Sequence, residues 1–522
     1  MAARPQPLGF GGRLGIAVAA AVPLLVAATA AAVVARAEGG RGLAAADWAA
    51  IRFTIWQAAL SAGISVALAI PVARALARRR FPGRGFLITL LGAPFLLPVI
   101  VAIFGLLAVF GRGGVLNGLL TTFGYSPFSI YGAHGVILAH VFFNLPLATR
   151  LILQGWQSIP GERLRLAATL DMGPTAIARH LELPMLVRVV PGALLIIFVI
   201  CTTSFAVALT LGGGPRATTV ELAIYQALRF EFDLSRAAFL SIIQLGITGA
   251  AAFVALTFAT APRFGPGLDR GVRRWDAQGF GVRVFDSVII GLAAAFLMLP
   301  VALVLLGGLP RIAQLPETVW IATLRSLFVA LASTALVVVS ALAIAVAATR
   351  VGPKGRYIEG AGLLAIAASP LVLGTGLFIL IFPFFDPSRL ALPITALVNA
   401  VVALPFALRV LLPAMQTIEA DFGRLADSLD IRGVARLRLV TLPRLRRPLG
   451  FAAGIAAALS MGDLGVIALF ADPETATLPL QIYRLMGAYR MDDAGGAAAL
   501  LLIVSFALFW AIDWGGGRHV DD

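Results

Sequence analysis

The chain is built from apolar blocks of roughly 20 residues separated by short polar or Gly/Pro-rich connections. A helix of that length rises by ~30 Å, the thickness of a bilayer's hydrocarbon core. Twelve blocks can be counted, at about 14–35, 53–73, 86–110, 133–153, 189–211 and 237–260, then 285–308, 324–348, 360–383, 391–412, 449–470 and 495–513. They predict an all-α polytopic membrane protein of about 12 transmembrane helices. Composition agrees: 60% of residues are hydrophobic and 13% charged, against about a quarter charged in soluble domains. The run Leu14–Val34 behind Arg4 is longer than the h-region of a secretory signal and is read as a retained first span.

The chain also repeats itself. Residues 163–184 read RLRLAATLDMGPTAIARHLELP, and residues 422–443 read FGRLADSLDIRGVARLRLVTLP. Set 259 residues apart, Arg165 falls on Arg424, Leu166 on Leu425, Ala167 on Ala426, Leu170 on Leu429, Asp171 on Asp430 and Leu183-Pro184 on Leu442-Pro443. At the same offset Pro146 matches Pro405, Arg150 matches Arg409, Gln157 matches Gln416 and Ile159 matches Ile418. Thr219–Tyr225 matches Thr477–Tyr483 with a shift of one. Each half carries six spans, an even number, so the halves insert with the same orientation, as two parallel-repeat six-helix halves. The expected division is a first half at 1–262 with its insert at 161–186, a linker at 263–284, and a second half at 285–522 with its insert at 420–445.

Arginine sets the orientation. Loop 74–85 carries Arg74, Arg78, Arg79, Arg80 and Arg84; the linker region carries Arg263, Arg270, Arg273, Arg274 and Arg283. The second insert and its tail carry Arg424, Arg432, Arg436, Arg438, Arg444, Arg446 and Arg447. All lie on one side if both termini are cytoplasmic. The opposite loops, 216–236 and 472–493, are mixed in sign, with Glu221, Glu231, Asp233, Asp472, Glu474, Asp492 and Asp493 balancing their arginines. The net charge of +15 therefore reflects topology, and Lys354 is the only lysine among the 41 basic residues. There is no aromatic-interleaved basic tract, so lipid rather than nucleic acid is the expected surround. Cys201 stands alone, which excludes an intrachain disulfide. His134, His140, His180 and His519 have no metal-ligand spacing, and no metal, cofactor or catalytic constellation is expected.

The inserts read as two short helices each. In the first, Gly161–Asp171 forms one, Met172-Gly173-Pro174 breaks it, and about 174–182 forms the second before Leu183-Pro184 closes it. In the second copy Gly433 stands at the break. Amphipathic helices lying on lipid would account for one copy. The same Arg, Leu, Ala, Leu, Asp and Leu-Pro kept in both favours docking of a soluble partner.

The insert resembles the coupling loop of permease subunits of binding-protein-dependent ABC importers. That motif runs Glu-Ala-Ala, a Gly four residues on, and a Leu-Pro-type end thirteen residues after the Gly. The alanine positions map to Leu166-Ala167 and Leu425-Ala426, and the ends to Pro184 and Pro443. Arg165 and Arg424 replace the Glu, and Asp171 and Asp430 replace the Gly, with Gly173 and Gly433 expected to supply the turn slightly later. Over nearly the whole chain, RRFPGR (79–84), ILAHVFFNLPLATRLILQ (137–154), IPGE (159–162), LGGGPRATTVELAIYQAL (211–228) and MGDLGVIALF (461–470) are similar to the permease of thiamine/thiamine pyrophosphate importers. The resemblance implies a type I ABC importer permease fold in the bacterial inner membrane. It implies import of thiamine or its phosphates and two copies of a cytoplasmic ABC ATPase subunit gripping the inserts. A periplasmic thiamine-binding protein would deliver the solute. Fused ferric-iron permeases share the architecture and are the alternative. A proton- or sodium-driven secondary transporter is a more distant one, because it would want several embedded ionisable groups.

Gly212-Gly213-Gly214-Pro215-Arg216 with Thr218 and Thr219 lacks the lysine of a phosphate loop, so ATP hydrolysis is assigned to separate subunits. It is read as an outer turn, with contact to the binding protein or gating as the sharper alternative. Asp463 lies in an apolar run ~10 Å from its outer end and is a candidate counter-charge for the thiamine cation; its repeat mate is Ser204. His140 and Asn399 are mates within spans, with Asn144 near the first. Interhelical hydrogen bonds are the plainer reading for these, and lining of the pathway the sharper one. Phe142-Phe143 is read as packing before it is read as a stacking platform.

Overall fold

The computed structural model describes residues 10–37, 43–91, 97–258, 274–363 and 369–517. They form helices joined by short turns, with no strand among them. The first repeat supplies α1 (Phe10–Ala37), α2 (Ala45–Arg78), α3 (Arg84–Leu90), α4 (Val99–Phe110), α5 (Val115–Thr122), α6 (Ala133–Gln157), α7 (Gly161–Thr169), α8 (Pro174–Ile177), α9 (Leu183–Thr202), α10 (Phe205–Leu211), α11 (Val220–Arg229) and α12 (Leu234–Phe258). The second supplies α13 (Phe280–Gly308), α14 (Glu317–Arg350), α15 (Gly355–Leu363), α16 (Pro370–Ile381), α17 (Ala391–Ser428), α18 (Gly433–Arg436), α19 (Leu442–Met461), α20 (Gly465–Phe470), α21 (Leu478–Gly487) and α22 (Met491–Gly517). Among the described residues, 11 helical segments are long and apolar enough to cross a membrane, and α16 is a shorter apolar helix. This is the all-α polytopic architecture of about 12 spans that the apolar blocks predict.

The repeat is visible element by element. α2 and α14 are both 34 residues long and start 272 positions apart. From α6 to the break after α9 the offset is 259, because residues 111–132 of the first half face only 382–390 in the second, and at α11 it is 258. The extra segment holds α5, and it is pinned by Asn117, whose Nδ2 donates to the carbonyls of Gly111 (2.8 Å) and Phe128 (2.9 Å).

Packing does not follow the division at the linker. α1 lies against α14, α15 and α16 of the second repeat, and α13 lies against α2 and α4 of the first. Glycine permits the close approach at both crossings. A Cβ on Gly376 would fall 2.7 Å from the Thr29 carbonyl oxygen, and one on Gly105 would fall 2.7 Å from that of Pro300. Of the linker region, Arg263, Arg270 and Arg273 lie outside the described residues, as do Arg4 and His519. Trp275–Ala277 forms one short turn before α13 opens at Phe280.

Two expectations need correction. The blocks 189–211 and 449–470 are not single helices: the first breaks between α9 and α10 at Thr203-Ser204, the second between α19 and α20 at Gly462–Leu464. The carbonyls freed at the first break are taken up by amides from neighbouring helices. Gln57 Nε2 donates to Cys201 O (3.0 Å) and Gln244 Nε2 to Thr202 O (2.8 Å). The second correction concerns the segments read as mixed-sign outer loops. They contain α11 and α21, largely buried helices with an apolar face turned into the bundle. Both are pinned alike, Val220 N to Thr54 Oγ1 (2.9 Å) and Leu478 N to Ser326 Oγ (2.8 Å), and Thr54 and Ser326 are mates at the 272 offset.

Candidate functional site: two inserts and a cavity between the repeats

In the first insert α7 ends in a left-handed residue, Asp171 (φ 49°); in the second α17 ends in Asp430 (φ 50°). Met172 N then returns to Ala167 O (3.0 Å), and Ile431 N to Ala426 O (2.9 Å), which closes the last turn of each helix. This accounts for the aspartates at the glycine position of the coupling motif. The turn demands positive φ, which glycine adopts freely and Asp tolerates better than most residues. Gly173 does not make the turn: its φ is −69° and its Cβ position is open. Gly433 (φ 58°) is left-handed but follows the turn already made.

Ala167 and Ala426 are buried, while Leu166, Leu170, Leu425 and Leu429 are 56–65% exposed. Arg165 and Arg424 are exposed beside them. Each insert thus presents an i, i+4 leucine pair flanked by arginine. The second helix is not closed at Leu183-Pro184 or Leu442-Pro443 as expected. It runs on into α9 or α19 through one widened turn, in which Leu183 N donates to Ala178 O and Leu442 N to Leu437 O, five residues back. Widening gives room to a proline that has no N–H and would crowd the carbonyl four residues before it.

The two inserts are braced differently. In the first, buried Glu182 receives Arg74 (2.7 Å), Arg274 (2.8 Å) and Arg78 (3.4 Å). Arg274 and Arg78 also reach Asp276. Burial alone would raise the Asp276 carboxyl, but the hydrogen bond and charge of Arg274, with Arg78, hold it below its ordinary value. In the second insert Thr441 stands where Glu182 does. There buried Arg436 bonds Asp427 and Glu419, both at 2.6 Å, within the insert and the helix that carries it.

Between the repeats lies a cavity of about 340 Å³. The structure brings His140, Asn144, Ser204, Asn399 and Asp463 together on its wall. Many lining residues come in mates, such as His140 with Asn399, Thr203 with Gly462 and Ser204 with Asp463, so the cavity sits where the two halves face each other at their broken helices. The interhelical bonds are present too: Asn144 Nδ2 reaches Cys201 Sγ (3.3 Å), and Asn399 Nδ2 donates to Ser460 Oγ (3.0 Å). His140 Nδ1 lies 3.4 Å from Ser61 Oγ, and its buried Nε2 has no hydrogen-bond partner among the described residues. Phe142 packs edge-on against Phe143 and Phe296, and Phe143 alone of the three lines the cavity.

Asp463 accepts from Val466 N and Ile467 N, both at 3.4 Å, in the first turn of α20. Glu221, counted in the sequence among outer-loop charges, is 1% exposed and lines the same cavity. Its spacing from Thr219, which caps α11 by accepting from Leu222 N, places it in the first turn of that helix. The Gly-rich turn before it has a structural demand for glycine. Gly213 (φ 66°) would bring a Cβ to 3.0 Å from Tyr131 Cβ, so this turn needs glycine for its backbone and its packing.

No protein-family profile matches the chain. It is 42% identical over 484 residues to the thiamine transport system permease protein ThiP of Escherichia coli (strain K12), covering 91% of this chain and 90% of that one. It is 40% identical over 489 residues to ThiP of Brucella abortus (strain 2308), again covering 91% and 90%, and 35% identical over 474 residues to ThiP of Haemophilus influenzae, covering 88% and 87%. The chain belongs to the thiamine transport permease family. Members of that family are membrane components of ABC importers rather than enzymes, and this multi-pass chain shares their inner-membrane architecture. The ferric-iron and ion-coupled alternatives are not favoured.

Proposed function

We propose that this chain forms the transmembrane path of an ATP-driven importer of thiamine, thiamine phosphates or both. The repeats 1–262 and 285–522 act as its two moving halves, joined by 263–284. The observation that carries the reading is the pairing of one cavity, lined by mates from both halves, with two alike docking faces at Leu166/Leu170 and Leu425/Leu429. With both termini in the cytoplasm, the arginine-rich inserts face that compartment. Each then seats one copy of a soluble ABC ATPase subunit, with Arg165, Asp171, Pro184, Arg424, Asp430 and Pro443 framing the contact. A periplasmic thiamine-binding protein delivers solute at the opposite end. Closure of the ATPase pair pulls the inserts together, and the halves rock about the broken helices at Thr203-Ser204 and Gly462–Leu464, exposing the cavity to one side and then the other.

The test is reconstitution of the chain in liposomes with an ABC ATPase subunit and a thiamine-binding protein from the same cell. Uptake of labelled thiamine that requires ATP and the binding protein is expected. Uptake driven by an ion gradient without ATP would overturn the reading, as would iron uptake without thiamine uptake.

A further inference from the structure

We propose that Glu221 is the counter-ion that selects a positively charged organic solute inside the cavity, with Asp463 as a weaker second from the other repeat. The proposal deepens the thiamine reading and rests on it. Thiamine carries a fixed positive charge on its thiazolium ring, so any path that accepts it must offset that charge where water is scarce.

Glu221 is built for that task. Its Oε1 is held at 2.5 Å by the hydroxyl of Ser369. Ser369 Oγ in turn accepts from Leu371 N and Val372 N at the start of α16, so its proton is directed at Glu221. One carboxylate oxygen is thereby fixed across the boundary between repeats. The other, Oε2, is buried in a residue that lines the cavity; the Gln244 side chain lies beside the carboxyl, but no close hydrogen bond reaches Oε2 among the described residues. Asp463 differs, since both of its oxygens are engaged by backbone amides.

Among the described residues that line the cavity there is no arginine or lysine, and both acids are present. A buried carboxyl with no cationic neighbour resists ionisation, and an arriving cation favours the ionised form that pairs with it. Phe143 and Phe205 add aromatic wall beside the acids, which suits a flat charged ring. Among the described residues no three His, Cys, Asp or Glu side chains gather as a metal site would need, which favours a diffuse organic charge over a bare ion. At the repeat position of Glu221 stands Pro479, so this counter-ion comes from the first repeat alone.

The experiment compares wild type, E221Q, E221D and S369A in the reconstituted ATPase and binding-protein complex, reading thiamine imported per ATP hydrolysed. E221Q is expected to lower that ratio ~10-fold or more while binding-protein-stimulated hydrolysis persists. E221D should restore part of it. S369A, which keeps the carboxylate but releases it, should lower the ratio about 5-fold and serves if E221Q fails to insert. An unchanged ratio in E221Q or S369A would overturn the proposal, and so would a parallel fall of uptake and hydrolysis, which would assign Glu221 to packing. Failure of the wild-type complex to import thiamine would instead overturn the reading on which the proposal rests.

Discussion

The first insert hangs from its neighbours, and the second stands on its own stem. Ahead of α7 the chain breaks at Ser158–Pro160, and the insert is tied at its far end, through Glu182, to α2 and to Arg274 of the linker. In the second copy α17 runs unbroken for 38 residues from the membrane span into the insert, and Arg436 cross-braces it internally. The exposed leucines and the left-handed aspartates are nonetheless the same in both. Duplication has kept the contact face and let the support diverge, so a load applied at equivalent points travels through different parts of the molecule.

The largest expected effect tests the shared face. Charging either leucine pair, as Leu166→Glu with Leu170→Glu or Leu425→Glu with Leu429→Glu, should cut transport at least about 10-fold and weaken ATPase co-purification, because each change places charge in an apolar contact. A defect from only one pair would break the equivalence of the inserts. The double change Asp171→Arg with Asp430→Arg should likewise abolish transport while membrane insertion, followed by blotting of membranes, persists.

The next effect tests the supports. Glu182→Gln leaves Arg74, Arg78 and Arg274 with Asp276 as the one remaining carboxylate of the brace and should cost about 3–5 kcal/mol locally. Trypsin should then cut near Arg274 faster. Arg436→Ala should loosen the second insert in hydrogen exchange and leave cleavage near Arg274 unchanged. Equal cleavage in both variants would mean that the two braces are not independent.

The smallest effect concerns the turns. Asp171→Gly and Asp430→Gly should be neutral within about 1 kcal/mol by melting temperature, relief of the left-handed φ offsetting the added freedom of the unfolded chain. Asp171→Val, β-branched at positive φ, should destabilise by about 1–2 kcal/mol. Because Asp276 titrates below its ordinary 3.8 in the folded chain, its ionised form favours folding above that pH. The brace of the first insert should therefore weaken only as pH falls below about 4 and stay constant through neutrality.

Much of this was legible in the sequence, because repetition compares each residue with a second one in a like setting. His140, Asn399, Ser204 and Asp463 stood out as polar residues in spans or as mates of such residues, and they meet at one cavity. What escaped has physical reasons. The helix breaks at Thr203-Ser204 and Gly462–Leu464 lie inside runs whose apolarity does not falter, and hydropathy is blind to a change of direction. Glu221 carries the signal of a loop charge; only the packing of α11 buries it. Gly173 looked like the turn because glycine is the usual left-handed residue, yet Asp171 two positions earlier already holds that conformation. Nor can periodicity say which repeat an apolar helix lies against, so the exchange of α1 and α13 left no trace in the pattern.

That exchange changes what the peptide link between the repeats is for. Each repeat already wears the other's first helix as a strap, seated at Gly376 and at Gly105. The halves are clasped by their folds before they are joined by their chain, and severing 263–284 would leave two fragments still embracing. A repeat made alone would offer its opening helix only part of its seat, α12 for α1 and α22 for α13. Fusion therefore secures equal numbers of the two repeats at synthesis, while the clasp keeps them from parting each time the cavity opens.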